Sequence, residues 1–312
     1  MDISGLHHVG LVVDDMGAAL ATFRRLGFAL PPPSYPTMSP REGEPPRPFG
    51  AANTHADFPR TFVELATYVK PDGSGQVPPE ATSVPLHVPA ELLPVVLRQI
   101  ESTSARLATY LDRFEGAHIL IFSAPDVEVV AARLSATGIG HAGVNTVQRP
   151  VGPRVETIHV LELDDAGIPE GRVGVAGDLD PAIQGARVLD HPNGAVELVG
   201  VMVCAAEADL DAVRARYQTY LGRPASPDRV FDVDGAQVAM LSPTELDALL
   251  PGERPPALPA LAAYTVAVSD LGHTTDLLRG NEVPHRATTS GDLFVPASSA
   301  LGAAIIFRQH GR

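Results

Sequence analysis

Four times along this 312-residue chain an apolar run leads directly into an amphipathic segment that ends near a glycine or a proline. The four starts are LHHVGLVVDDMGAALATFRRLGF (6–28), AHILIFSAPDVEVVAARLSATGI (117–139), LVGVMVCAAEADLDAVRARYQTYLG (198–222) and AAYTVAVSDLGHTTDLLRGNEVP (262–284). A repeat of this kind constrains the fold more than any single residue, because one copy cannot bury its own apolar face and must stack on another. Each start reads as a strand followed by a helix. In the first, Val9, Leu11 and Val13 alternate, and Met16, Leu20, Phe23 and Leu26 then recur at helical spacing. Strand-like pieces follow each helix: THADFPRTFVELATYV, then TIHVLELDD and GRVGVAGD, then RVFDVDGAQVAMLSP, and finally GDLFVPASSALGAAIIFRQ. The unit is one strand, one helix and about three strands, which predicts an α+β fold of four such modules.

The first two starts lie about 110 residues apart, and two insertions fill the excess. One is the proline-rich loop 31–48; the other, 90–113, carries Leu97, Ile100, Ser104, Leu107 and Leu111 at helical spacing and predicts an extra helix despite Pro94. The Pro/Gly-rich LLPGERPPALPALA joins the third and fourth units. A boundary near Val199 divides the chain into 1–198 and 199–312.

Side chains alternate faces along a strand, so His7 shares a face with Val9, Leu11 and Val13, on which the following helix packs. His8 then looks the other way, into whatever the sheet encloses, and His7 is structural. The same alternation in RTFVELATYV sets Phe62, Glu64, Ala66 and Tyr68 opposite Val63 and Leu65. In AHILIFSAPD it sets His118, Leu120 and Phe122 opposite Ile119 and Ile121.

Composition excludes several classes of partner. Net charge is −14, Lys70 is the only lysine, and no basic cluster exists, which disfavours nucleic acid and anionic membrane surfaces. A single cysteine, Cys204, sits among hydrophobes and reads as buried filler; it rules out an intramolecular disulfide. With no signal-like start and no apolar run approaching about 18 residues, the expected location is cytoplasmic. Phosphate loops, a GxSxG elbow and an HExxH pair are all missing from the sequence.

A βαβββ unit repeated in pairs and opened by HHVGLVVDDMGAAL resembles the vicinal oxygen chelate superfamily, the glyoxalase, bleomycin-resistance and extradiol-dioxygenase group. HPNGAVELVGVMV at 191–203 is similar to its glyoxalase-like subgroup. The resemblance implies two pairs of modules, each pair closing a cupped mixed sheet with helices outside, around a metal or an organic ligand. It further implies metal ligands on the first and last strands of a module. His8 and Glu64 match those positions in module one, and His118 is taken as the counterpart of His8 in module two. Two imidazoles and a carboxylate suit a divalent first-row metal such as Fe, Zn, Mn or Ni. The fourth position is unfilled, since GRVGVAGD offers Val175 or Ala176 where a carboxylate would stand.

Around this centre Phe62, Tyr68, Phe122 and His55 are candidate substrate contacts, and Glu64 and His159 are candidate catalytic groups, His159 as an acid or base near neutral pH. The second half carries no histidine at its strand starts and reads as a degenerate pair. Two functions follow. One is a metal-dependent lyase, isomerase or dioxygenase acting on a small oxygenated molecule. The alternative is a metal-free protein that binds or sequesters a small molecule, as antibiotic-resistance relatives do; a vestigial scaffold is the third reading. Because the chain holds enough modules to close its own cups, a homodimer stays open.

Overall fold

Strands and helices form a mixed α+β fold in the computed structural model, over the described residues 2–39, 44–70, 77–86, 88, 91–151, 154–164 and 168–311. The first group is β1 (Gly5–Val12), α1 (Met16–Arg25), β2 (Ser34–Met38), β3 (Arg47–Pro48), β4 (Ala51–Asp57) and β5 (Phe62–Tyr68). A short β6 (Thr82–Pro85) and α2 (Leu93–Arg113) lead to the second group: β7 (Gly116–Ala124), α3 (Val127–Ala136), β8 (His141–Val151), β9 (Arg154–Leu163), β10 (Arg172–Gly177) and the small α4 (Pro181–Gly185). The third is β11 (Ala195–Cys204), α5 (Leu210–Leu221), β12 (Val230–Val233), β13 (Ala236–Leu241) and α6 (Pro243–Leu249). The fourth is β14 (Ala260–Val268), α7 (Leu271–Gly280), β15 (Arg286–Ala287), β16 (Leu293–Val295) and β17 (Ala304–Gln309).

Local chemistry explains the strand-to-helix turns. Aspartates stand at the helix starts, and Asp15, Asp126 and Asp270 accept hydrogen bonds from the first-turn amides of α1, α3 and α7, satisfying donors that have no partner inside the helix. Gly27, at φ +84°, terminates α1 in the left-handed region that a side chain would resist. Helix α1 buries Met16, Ala19, Leu20 and Phe23 against Val9, Leu11 and Val13 in one cluster. At about 1.5–3 kcal/mol for each large apolar side chain, that burial outweighs the modest intrinsic preference of the segment for a helix.

In the N-terminal half β5 pairs with β1 in parallel, β1 with β7 antiparallel, and β7 with β10 in parallel; β4 and β9 extend this sheet on either side. The C-terminal half repeats the order: β13 beside β11, β11 antiparallel to β14, β14 parallel to β17. A single ladder position, Leu261 opposite Ala117, pairs β14 with β7. The buried cluster is continuous across both halves, with Phe28 stacked on Phe307 at 6.1 Å. Val199 lies inside β11.

Three expectations change in detail. The third group has two strands after its helix, not three, because only eight residues separate α5 from β12. The proline-rich loop 31–48 contains β2 and β3, with 40–43 outside the described residues. The extra helix begins at Leu93, with Pro94 in its first turn where a missing N–H costs nothing; residue 90 lies outside the described residues.

The two cups differ. In the second, Leu246 and Leu250 of α6 and its C-cap pack on Met202, Cys204, Phe294 and Ile306, so the chain's own helix fills the concave face. In the first, α2 covers Val12, Ala66, Ile119 and Ile121 with Leu107, the only fully buried residue of its 21. Among the described residues no helix is long and apolar enough to cross a membrane.

Candidate functional site

The open cup of the N-terminal half is a cleft of about 820 Å³ walled by β2, β4, β5, β7, β10 and α2, and it is lined by the carboxylates Asp57 and Glu64. Strand register sets that position. On β1, Gly10 stands beside Glu64 of β5, and on β4 His55 lies directly opposite Glu64. Val9, Leu11, Val63 and Leu65 belong to the core behind the sheet, whereas Val12 and Ala66 belong to the cluster facing α2. Gly10 makes room for the carboxylate: a Cβ there would lie 3.0 Å from Glu64 Oε2 and 2.8 Å from Ile119 Cβ.

Three side chains surround Glu64. Asn53 donates from Nδ2 to Oε1 at 2.8 Å. His55 Nε2 lies 3.8 Å from Oε1, and His8 Nε2 lies 3.7 Å from Oε2. Phe62 supports both rings, stacked on His8 at 4.3 Å between centroids and tilted against His55 at 4.5 Å. Each imidazole is held from behind. Arg187 Nη2 approaches His55 Nδ1 at 2.9 Å, and since a guanidinium can only donate, the His55 hydrogen belongs on Nε2, toward Glu64. His7 Nδ1 lies 2.7 Å from His8 Nδ1. Arg187 also pairs with Asp57, which is buried and accepts from Gln184 as well.

Burial alone would raise the Glu64 pKa. The His55 and His8 imidazoles beside it and the hydrogen bond from the Asn53 amide outweigh it and hold the carboxyl well below the usual carboxylate range. The group is therefore an anion throughout the physiological range, an acceptor sheltered in a cleft.

The set His8, Glu64 and His118 does not come together. The register of β1 on β7 is two-fold symmetric about Val9 and Leu120, with His8 opposite Ile121 and Gly10 opposite Ile119. The symmetry mate of His8 is thus Ile119, and His118 is the mate of His7. By the same relation Gly10 beside Glu64 corresponds to Ile121 beside Gly174, so the second module has no carboxylate to offer. His118 is fully buried under the last turn of α2, where Nε2 donates to the Phe114 carbonyl at 2.8 Å and the ring stacks on Tyr110. Burial, opposed by that hydrogen bond and reinforced by the Arg113 charge, lowers its pKa to about 4.

The other sequence-derived positions divide likewise. His55 lines the cleft. Phe62 lies beneath the imidazoles, and Tyr68 packs at the edge of the α2-facing cluster. Phe122 is in the main core, on the helix side of β7 with Leu120, because the parity of β7 runs opposite to the sequence reading. A one-residue slip in strand phase moves every side chain to the other face, and β7 takes its phase from Ile119 and Ile121, which face the cup. His159 is exposed, while its neighbours Ile158 and Val160 pack toward the α2-facing cluster. Asn53, Asp57 and Arg187 were not singled out from sequence. The hairpin turn DFPRT was the available signal, since it closes β4 on β5 and sets His55 across from Glu64.

Two imidazole nitrogens and a carboxylate are suitable donors for a divalent ion, and 3.7–3.8 Å is too long for a hydrogen bond. Their arrangement does not suit one. His8 and His55 approach different oxygens of Glu64, so the donors encircle the carboxylate rather than a shared point, and among the described residues no three His, Cys, Asp or Glu side chains are grouped to hold a metal ion.

Solved structures share this architecture at low identity. A hypothetical protein from Staphylococcus aureus matches at TM-score 0.58 and 9% identity over 97% of this chain and 98% of its own. A mutant of 4-hydroxymandelate synthase from Streptomyces coelicolor matches at TM-score 0.58 and 14% identity over 100% and 94%. A 2,3-dioxygenase from Pseudomonas sp. KL28 matches at TM-score 0.50 and 11% identity over 99% and 94%. At such identities the likeness concerns the fold alone. No curated protein matches the chain in sequence. The family model described as a glyoxalase-like domain matches residues 6–221, which span the open cup, β11 and α5. With that match over more than half its length, the chain belongs to the glyoxalase-like domain family.

Proposed function

We propose that the N-terminal cleft binds a small oxygenated organic molecule, with Glu64 and its flanking imidazoles as the polar anchor. The observation that carries this reading is a sheltered carboxylate between two imidazoles in an open cavity of about 820 Å³. That volume falls within the usual span of small-molecule sites, about 300–1,000 Å³. His55, with its Nε2 hydrogen fixed by Arg187, is a donor; Glu64 is an acceptor. A donor and an acceptor side by side bind a hydroxyl or carbonyl group, and a carboxylate held so firmly in its anionic form serves as an anchor rather than as a general base.

A divalent-metal-dependent enzyme is the second reading, favoured by His8 and Glu64 on neighbouring strands at the positions the family uses. Because the donors do not converge, no step is routed through a metal. The test is elemental analysis of protein purified without added metal, followed by calorimetric titration with iron, zinc, manganese and nickel. In parallel, small molecules retained from a cell extract by wild type and by Glu64→Gln are compared by mass spectrometry. The expected result is a retained organic compound that the variant loses. Stoichiometric metal that Glu64→Gln abolishes would overturn the metal-free reading.

A further inference from the structure

Nine large hydrophobic side chains are exposed among the described residues, and three of them, Val84 (41%), Val147 (48%) and Leu189 (42%), stand around this one cleft. They come from three separate segments, β6, β8 and the chain after α4, so no single strand pattern explains their meeting. Isolated exposed hydrophobes are ordinary, but a contiguous set around a cavity marks a surface that something covers. Pro31, Pro36, Leu107 and Ile119 line the same cleft, together with the polar side chains of Thr103, Gln148, Arg172 and Arg187 and the group of Asn53, His55 and Glu64. The cleft therefore offers a carboxylate acceptor at Glu64 and, elsewhere on its lining, a substantial apolar surface.

We infer that the ligand is amphipathic, with a hydrogen-bond-donating head, a hydroxyl or its equivalent, at Glu64 and an apolar body along the cleft to Val84, Val147 and Leu189. The inference rests on the proposed small-molecule site and names its ligand class. Two features set the head's polarity. The Asn53 amide donates to Glu64 Oε1, while Oε2 stands 3.7 Å from the His8 ring, too far for a hydrogen bond, so its lone pairs face an incoming donor. Burying a carboxylate without such partners is costly, so a head that lacks a donor is rejected. Size sets the body. The cleft is many times the roughly 30 Å³ that a water molecule occupies, so a three-carbon polyol would leave the apolar walls wet. A wall made partly by α2, which buries only Leu107, can adjust to bodies of different shape.

The probes are 2-naphthol, 2-methoxynaphthalene and glycerol, titrated by NMR line-shape and shift changes into full-length wild type, Glu64→Gln and the rim variant Val147→Ser/Leu189→Ser. The rim positions are exposed, so folding tolerates them. The expected order in wild type is 2-naphthol tighter than 2-methoxynaphthalene by about tenfold or more, the value of a hydrogen bond to a charged group, with no saturable glycerol binding. Glu64→Gln should bring 2-naphthol to the level of the ether and leave the ether unchanged. The rim variant should weaken both naphthalenes by similar factors. If the rim variant binds 2-naphthol like wild type, or if no naphthalene binds at millimolar concentration, the ligand-class inference is overturned while the Glu64 anchor still stands or falls on extract retention. If Glu64→Gln binds 2-naphthol like wild type while the rim matters, the anchor fails, and the donor head with it. Loss of self-association in the rim variant, with naphthalene binding intact, would assign the rim to a second copy of the chain and also overturn the inference.

Discussion

Replacing His118 with phenylalanine should destabilise the protein at neutral pH and progressively less so in acid. The folded imidazole is fully buried and its pKa is lowered to about 4, against 6.5 in the unfolded chain. Between those values the unfolded state binds a proton that the folded state refuses, so stability rises with pH across that window. The contribution is fully present above about pH 6.5 and is lost as pH falls toward about 4. At about 1.4 kcal/mol for each tenfold change in proton affinity, the loss over the window is about 3 kcal/mol. Phenylalanine keeps the stack on Tyr110 but leaves the Phe114 carbonyl unpaired, at a cost of about 1–3 kcal/mol that does not depend on pH. The deficit of His118→Phe at pH 7.5 should therefore shrink by about 2–3 kcal/mol by pH 4.5. Urea unfolding of both proteins at pH 7.5, 6.5, 5.5 and 4.5 measures this difference, and carboxylates common to both cancel. Parallel stability curves, or a deficit that widens in acid, would refute the buried neutral imidazole.

Two further perturbations test the frame around the cleft. Glu170 is fully buried and accepts from Arg216 Nη2 at 2.7 and 2.6 Å, tying the segment before β10 to α5; Glu170→Gln leaves the guanidinium without its counter-charge and should cost about 3–5 kcal/mol in urea unfolding, and a loss below about 1 kcal/mol would show that the pair is not desolvated as described. Gly10→Ala pushes a methyl against Ile119 and Glu64 Oε2 and should cost about 1–3 kcal/mol of stability while weakening 2-naphthol binding; unchanged stability and unchanged affinity together would mean that the carboxylate does not depend on that space.

The strand-to-helix starts and the two faces of β1 and β5 were legible in sequence because each depends on local periodicity. Val9, Leu11 and Val13 against Met16, Leu20 and Phe23 fix which side of β1 is core, so the cup-facing placement of His8 and Glu64 follows from alternation alone. The phase of β7 did not follow. AHILIFSA is apolar on both sides, since one face meets the core and the other meets α2, and alternation between two buried faces carries no direction. Only pairing with β1 decided it, matching His118 with His7 and leaving Ile119 where a second imidazole was expected. His55 reached Glu64 by the same kind of decision, through the β4–β5 hairpin, and Arg187 came to it from 132 positions away in sequence. Periodicity records what a side chain turns away from; which side chains meet depends on register and on long-range closure, and those exist only in the folded sheet.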